Sequence, residues 1–173
     1  ELMKNKISAL PDLDGEKMVG IVSKADFVTL ATGIAFDKIA VKEVMSKELV
    51  TVSPTERIVH ARRQMIENHV GRVPVVDDGE LVGMITSKDL MRAFIDFRKK
   101  VPEKYQKSQI KELLVEDIMS SNPTSVTKDM SITEVSQIIM ETGFNGLPVV
   151  EDDEVVGIIT QTDILKLIEK IES

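Results

Sequence analysis

Apolar positions along the chain follow two rhythms that alternate. Val73 to Val76 and Leu81 to Ile85 are short apolar runs on either side of Asp77-Asp78-Gly79, the pattern of a tight hairpin. From Ser87 the spacing lengthens to three and four, through Leu90, Met91 and Phe94, as on one face of a helix. Upstream, Ile58, Ala61, Met65 and Ile66 keep the same helical spacing. Ser53-Pro54 reads as the N-cap and first-turn proline of that helix, which is expected to end near Asn68. Before it stand a brief β-type run, Leu49 to Val52, and an apolar lead-in, Val41 to Met45. The predicted order is β-α-β-β-α.

The hairpin-and-helix part of this pattern occurs three times, at Ala9–Asp26, Arg72–Asp89 and Gly146–Asp163. In each copy a proline (Pro11, Pro74, Pro148) precedes a glycine (Gly20, Gly83, Gly157) by nine residues. The glycine precedes a hydroxyl (Ser23, Thr86, Thr160) by three, and the hydroxyl precedes an aspartate (Asp26, Asp89, Asp163) by three. A repeat of this kind fixes the fold before any single residue does. Offsetting by 74 also carries Met45-Ser46 onto Met119-Ser120, so the last two copies match from lead-in to final helix, whereas the first is only the back half of a unit. The expected organisation is a half repeat at 1–33, a linker at 34–40, a repeat at 41–97, a polar linker at 98–114 and a repeat at 115–173. The stretch 98–112 carries six Lys or Arg and reads as a solvated linker or surface helix. Asp12 stands where the other copies have Val75 and Val149. That strand is therefore expected to be less enclosed, or Asp12 to face a polar partner, because a buried unpaired carboxylate is costly.

Composition narrows the functions. A net charge of −7, with five Phe, one Tyr and no Trp, argues against a nucleic-acid surface. Cysteine is absent, which excludes disulfides and thiolate metal sites and points to an intracellular, cytoplasmic setting. No apolar run approaches the length of a membrane span, and no signal peptide is expected in the charged segment opening at Glu1. Met65, Met84, Met91 and Met140 sit at periodic apolar positions and are expected in the core. His69 reads as a helix-end residue, and neither it nor His60 belongs to a catalytic set. No metal cluster or Ser-His-Asp arrangement is visible, so an enzyme is not expected.

The chemistry concentrates at the strand-to-helix junction. Thr86-Ser87-Lys88-Asp89 begins a helix, where backbone N–H groups favour an anion, a threonine can donate to it, and an aspartate can accept from both hydroxyls of a ribose. The same spacing is a capping box, with Thr86 capping and Asp89 reaching back. Local pattern leaves both readings open.

Pro-Val-Val-Asp followed by Val-Gly-x-x-Thr-x-x-Asp, with the lead-in Val44-Met45-Ser46, resembles the CBS domain, named after cystathionine β-synthase, and the tandem arrangement resembles a Bateman module. The resemblance implies an α/β (α+β) fold of tandem β-α-β-β-α repeats packed sheet-to-sheet as a pseudo-two-fold module. It also implies clefts for an adenosine-containing ligand and frequent homodimerisation. Carried over residue by residue, the site comprises Thr86 with Asp89, Thr160 with Asp163 and, in the half repeat, Ser23 with Asp26. On the purine side it comprises Thr51, Val52, Ser125 and Val126 from the early strands, and Gly71, Arg72, Asn145 and Gly146 before the prolines. Arg72 and Lys88 are candidate phosphate contacts, and Thr162 replaces Lys88 in the last copy, so the two sites should differ in charge. The expectation is a non-catalytic regulatory module sensing AMP, ADP or ATP, with a conformational change read by an attached or partner protein. S-adenosylmethionine or methylthioadenosine is the alternative ligand, and a dimerisation or interaction module with empty clefts the alternative class.

Overall fold

The computed structural model describes residues 1–5, 7–33 and 36–172. Residues 34 and 35 of the expected first linker lie outside them. All three hairpins form where the apolar runs placed them: β1 (Ala9–Asp14) with β2 (Lys17–Ser23), β3 (Arg72–Asp77) with β4 (Glu80–Thr86), and β7 (Gly146–Glu151) with β8 (Glu154–Thr160). The Asp78-Gly79 turn has positive φ at both residues (47° and 92°), as does Asp152-Asp153 (50° and 68°), the twist that lets a two-residue loop join antiparallel strands. The first two hairpins share a register shift at matching points, between Asp12 and Leu13 and between Val75 and Val76.

Helices follow each hairpin: α1 (Lys24–Gly33), α4 (Ser87–Lys100) and α7 (Gln161–Glu172). The helix that opens the second repeat is α3 (Ile58–Glu67), and its counterpart in the third is α6 (Ile132–Thr142). The lead-in of the second repeat is a single helical turn, α2 (Val41–Val44). The polar stretch after α4 contains a surface helix, α5 (Glu103–Gln109). Short strands β5 (Ser120–Ser121) and β6 (Val126–Thr127) complete the order.

By contacts the chain divides into two units, residues 1–47, 125–149 and 156–173 in one, and 48–124 with 150–155 in the other. In the first, α1 packs on α6 and α7. Val28, Ala31, Ile139, Leu147 and Ile164 are buried in one apolar cluster there. The lead-in of the second repeat is laced onto the third. Ile132 N–H donates to the Ile39 carbonyl (3.0 Å), Val41 N–H to Met130 (2.9 Å), and Ser46 and Ile158 exchange both backbone bonds (2.9 and 3.0 Å).

The second unit mirrors this. Here the lead-in of the third repeat is laced onto the second: Ile58 N–H donates to the Leu113 carbonyl (2.9 Å), Val115 N–H to Glu56 (2.8 Å), and β5 pairs with β4. Val73, Val75, Ile85, Ala61 and Val115 form the buried cluster. Two glycines make the exchange sterically feasible. A Cβ on Gly157 would stand 2.5 Å from Met45 Sδ and 3.1 Å from the Ser46 carbonyl, and one on Gly83 would stand 3.2 Å from the Ser120 carbonyl.

Several expectations are corrected. α3 begins at Ile58 rather than at Ser53-Pro54, because Ser53 N–H closes a turn onto Glu56 Oε1 (2.9 Å) and Arg57 is held extended in a bridge to Leu114. The β-type run 49–52 contributes only one bridge, Val52 parallel to Val75. Ile66, Met91 and Met140 are not core residues: they are 55%, 66% and 41% exposed, whereas Met65 and Met84 are buried. Helical spacing defines a stripe but not its width, and these three fall on its outer edge or at a helix end. β1 and β2 are largely exposed, with Ile21 at 65%, so Asp12 keeps its hydration and faces no burial penalty.

α6 is capped reciprocally, with Ser131 N–H (2.7 Å) and Oγ (2.8 Å) donating to Glu134 Oε2 and Glu134 N–H donating back to Ser131 Oγ (3.2 Å). The bond from the Ser131 backbone, then that from its hydroxyl, holds the Glu134 carboxyl below the usual range. A lowered folded pKa gives stability that is present above the ordinary glutamate value and is lost as pH falls through the folded one. Ser131→Ala removes the two hydroxyl bonds and keeps the backbone bond, so it should lower stability at neutral pH, with the gap to the parent narrowing as pH falls through the glutamate range. Urea unfolding at neutral pH and below that range checks this, and an unchanged gap would remove the carboxylate from the cap's contribution.

Candidate functional site

All three Thr/Ser-x-x-Asp motifs fold as caps. Asp89 Oδ2 accepts from Thr86 N–H (2.9 Å) and Oγ1 (2.5 Å), and Asp89 N–H donates back to Thr86 Oγ1 (3.3 Å). Asp163 Oδ2 accepts from Thr160 N–H (3.0 Å) and Oγ1 (2.6 Å). Asp26 Oδ2 accepts from Ser23 N–H (2.7 Å) and Oγ (2.8 Å), and the hydroxyl bond, then the backbone bond, lowers its pKa from the ordinary aspartate value. In each motif one carboxylate oxygen takes both cap bonds, so the second oxygen stands outside the cap.

In the second repeat the pre-proline residues lie against this junction. Gly71 carbonyl accepts from Ser87 N–H (2.9 Å) and Oγ (3.3 Å), and Arg72 stands opposite Thr86 in the ladder. Burial of the Arg72 guanidinium lowers its pKa from the ordinary arginine value. Val52 is buried along the other edge of β3, its N–H donating to the Pro74 carbonyl (3.2 Å) and its carbonyl accepting from Val76 N–H (2.9 Å), with Thr51 exposed beside it. Lys88 is exposed on the first turn of α4. Thus Gly71, Arg72, Thr86 and Asp89 come together, and Thr51 and Val52 lie across one strand from them.

The third repeat reproduces the arrangement within the other unit. Asn145 carbonyl accepts from Gln161 N–H (3.0 Å), and β6, with buried Val126 and exposed Ser125 before it, flanks β7. Gly146 is fully enclosed: a Cβ there would stand 2.8 Å from the Ile159 carbonyl and 3.1 Å from Thr160 Cα. Asp163 is only 6% exposed. Its second oxygen accepts from Ser46 Oγ (3.3 Å) and lies 3.9 Å from Lys166 Nζ. Thr162, where the second repeat has Lys88, accepts from Lys24 Nζ on α1 (3.1 Å).

Sequence reasoning missed Ser46 and Lys24. The Met-Ser lead-in recurs at the 74-residue offset, so Ser46 carried a signal, but which hairpin it meets is set by the exchange of lead-ins. Lys24 carried none. His69 is an exposed residue at φ 55° just past the end of α3, as expected. Among the described residues no group of three or more His, Cys, Asp or Glu is placed to hold a metal, and no helix is long and apolar enough to cross a membrane.

The CBS domain profile matches residues 41–96 and 115–170. The chain belongs to the CBS domain family. Protein MJ1225 of Methanocaldococcus jannaschii is 29% identical over 183 residues, covering 95% of this chain and 61% of its own length. Its crystal structure superposes with a TM-score of 0.81 over 96% of this chain at 22% identity, which speaks for the fold. CBSX2 of Arabidopsis thaliana, solved in complex with AMP, has a TM-score of 0.66 at 26% identity, over 78% of this chain and 98% of that one. The CBS domain pair of MJ0100, solved with 5′-methylthioadenosine and S-adenosyl-L-methionine, gives 0.63 at 29% identity, over 76% and 97%. This CBS chain spans only 61% of the MJ1225 length and 37% of that of a second relative from the same organism, MJ1404.

Gly146→Ala should push Ile159 and Thr160 away from β7, because besides Thr160 Cγ2 (2.8 Å) two backbone atoms obstruct the Cβ, the Ile159 carbonyl (2.8 Å) and Thr160 Cα (3.1 Å). The expected loss is about 1–3 kcal/mol, whereas Gly71→Ala, where a Cβ would meet only Ser87 Oγ at 3.9 Å, should change stability little. Paired chemical denaturation curves test the contrast, and equal losses would refute it.

Proposed function

We propose that the chain is a non-catalytic regulatory module that binds an adenosine-containing ligand, most simply AMP, ADP or ATP, at the Thr-x-x-Asp junctions of its two complete repeats. The observation that carries this reading is the division of labour at Asp89 and Asp163. One oxygen closes the cap; at Asp89 the other is held in a fixed direction at the start of a helix, and at Asp163 the other also accepts from Ser46 Oγ (3.3 Å). Capping and ligand binding are then compatible, since the cap pre-orders the acceptor that a ribose diol would use. Gly71 or Gly146 and the neighbouring early strand supply the adjoining wall, with Thr51, Val52, Arg72 and Lys88 in one repeat and Ser125, Val126 and Asn145 in the other. That relatives of this fold have been solved with AMP, and with methylthioadenosine and S-adenosylmethionine, supports the ligand class and leaves the choice within it to the charge of each site.

Regulation would work by linkage: a ligand that prefers one arrangement of the repeats shifts the population, and a partner protein or a second copy of the chain reads the shift. The exchange of lead-ins, Ser46 to the third repeat and Ser120 to the second, supports pairing of the two complete repeats as one module. With a nucleotide ligand and no cysteine, the reading is of a cytoplasmic sensor.

Thermal-shift titration with AMP, ATP, S-adenosylmethionine and methylthioadenosine tests the reading. A ligand at about 100 times its Kd should add about 2.7 kcal/mol of apparent stability. No shift with any of them at millimolar concentration would favour an interaction module with empty sites. Asp163→Ala should cost about 1 kcal/mol through the lost cap and weaken the adenosine ligand by about tenfold or more. The stability loss with unchanged affinity would leave Asp163 as a cap alone.

A further inference from the structure

The two complete repeats differ at one charged position of their motifs: Lys88 in the second is Thr162 in the third. The third repeat nevertheless has an ammonium at that position, because Lys24, the first residue of α1, donates from Nζ to Thr162 Oγ1 at 3.1 Å. Lys24 is held there from its own side. Its backbone N–H donates to the Ser8 carbonyl (3.0 Å), and α1 packs along α6 and α7.

The surroundings of Lys24 do not neutralise it. Its hydrogen bond goes to a neutral hydroxyl, and it forms no ion pair among the described residues. Neither Asp26, two residues along α1, nor Asp163, beside Thr162, pairs with it. Asp26 is bonded to Ser23, and Asp163 is bonded to Thr160 and Ser46, with Lys166 at 3.9 Å. A half-buried ammonium has lost part of its hydration, and a neutral hydroxyl replaces only part of that. An ammonium has three donors, so two remain after the bond to Thr162.

We infer that Lys24 is the anion-recognition residue of the third repeat's site, supplied from the first repeat. The site then takes a phosphate-bearing adenosine ligand in preference to an uncharged or cationic thioether. Its occupancy adds a ligand-mediated tie between α1 and α7. This deepens the proposed function and rests on it: Asp163 faces the ribose and Lys24 the phosphate. The apparent loss of charge on going from Lys88 to Thr162 is made good from another repeat, and Thr162 positions the incoming ammonium.

Calorimetric titration of AMP and of methylthioadenosine against the parent chain, Lys24→Ala and Lys24→Arg separates the outcomes. The expected result is about tenfold weaker AMP binding at one site in Lys24→Ala, unchanged methylthioadenosine binding, and recovery of most AMP affinity in Lys24→Arg. Amide exchange over Lys24 to Thr32 should slow with AMP in the parent and not in Lys24→Ala. If AMP affinity is the same in Lys24→Ala, the role of Lys24 is refuted while nucleotide binding stands. If both ligands weaken equally and the melting temperature falls, Lys24 is a packing residue and the inference fails. If the parent binds neither ligand, the proposed function fails and this inference with it.

Discussion

Where Gly83 and Gly157 stand, a methionine side chain and a serine carbonyl occupy the space a Cβ would need, and much of the structure depends on that contact. It lets Met45-Ser46 lie on the third repeat's hairpin and Met119-Ser120 on the second's. The lead-ins thereby complete hairpins that are not their own. The backbone bridge pairs both the N–H and the carbonyl of Ser46 with Ile158, and it delivers the Ser46 hydroxyl to Asp163. The glycine of the motif is therefore a packing requirement, and it acts on the site indirectly.

The Thr-x-x-Asp motif was open to two readings, a cap or a ligand contact. The cap forms in all three copies and leaves one carboxylate oxygen outside it, which at Asp163 accepts from Ser46. The cap consumes one oxygen, both threonine donors and, in the second repeat, the return bond from the backbone. An aspartate fixed this way has little rotamer freedom left to lose, so a ligand meeting its other oxygen would spend less on ordering it. The first motif keeps the same cap at Ser23 and Asp26 although β1 and β2 are exposed, which indicates that the cap needs only the local strand-to-helix junction.

The helix α1 also changes how the two matched repeats compare. Read alone, the third repeat has lost a cation relative to the second. With α1 packed on α6 and α7, a lysine from elsewhere in the chain stands at that position. Charge differences between repeats are therefore to be read after packing, because a side chain about 140 positions away in sequence can fill a vacancy at a helix start.

Periodicity and spacing determined the hairpins, the helices after them, the three-fold repeat and the aspartate junctions, because these depend on residues within a few positions of one another. The turn at Asp78-Gly79 and the caps at Thr86 and Thr160 are local chemistry and were legible as such. What spacing could not give was the outer limit of each apolar stripe, so Ile66, Met91 and Met140 were misplaced, nor the start of α3, which a bridge from Arg57 to Leu114 postpones. Ser46 and Lys24 belong to the same class. Their place at the site is decided by which surfaces pack together, and that is settled by burial and backbone pairing between segments far apart in the chain. Local sequence fixed the repeated junction, and only tertiary packing decided which distant residues complete it.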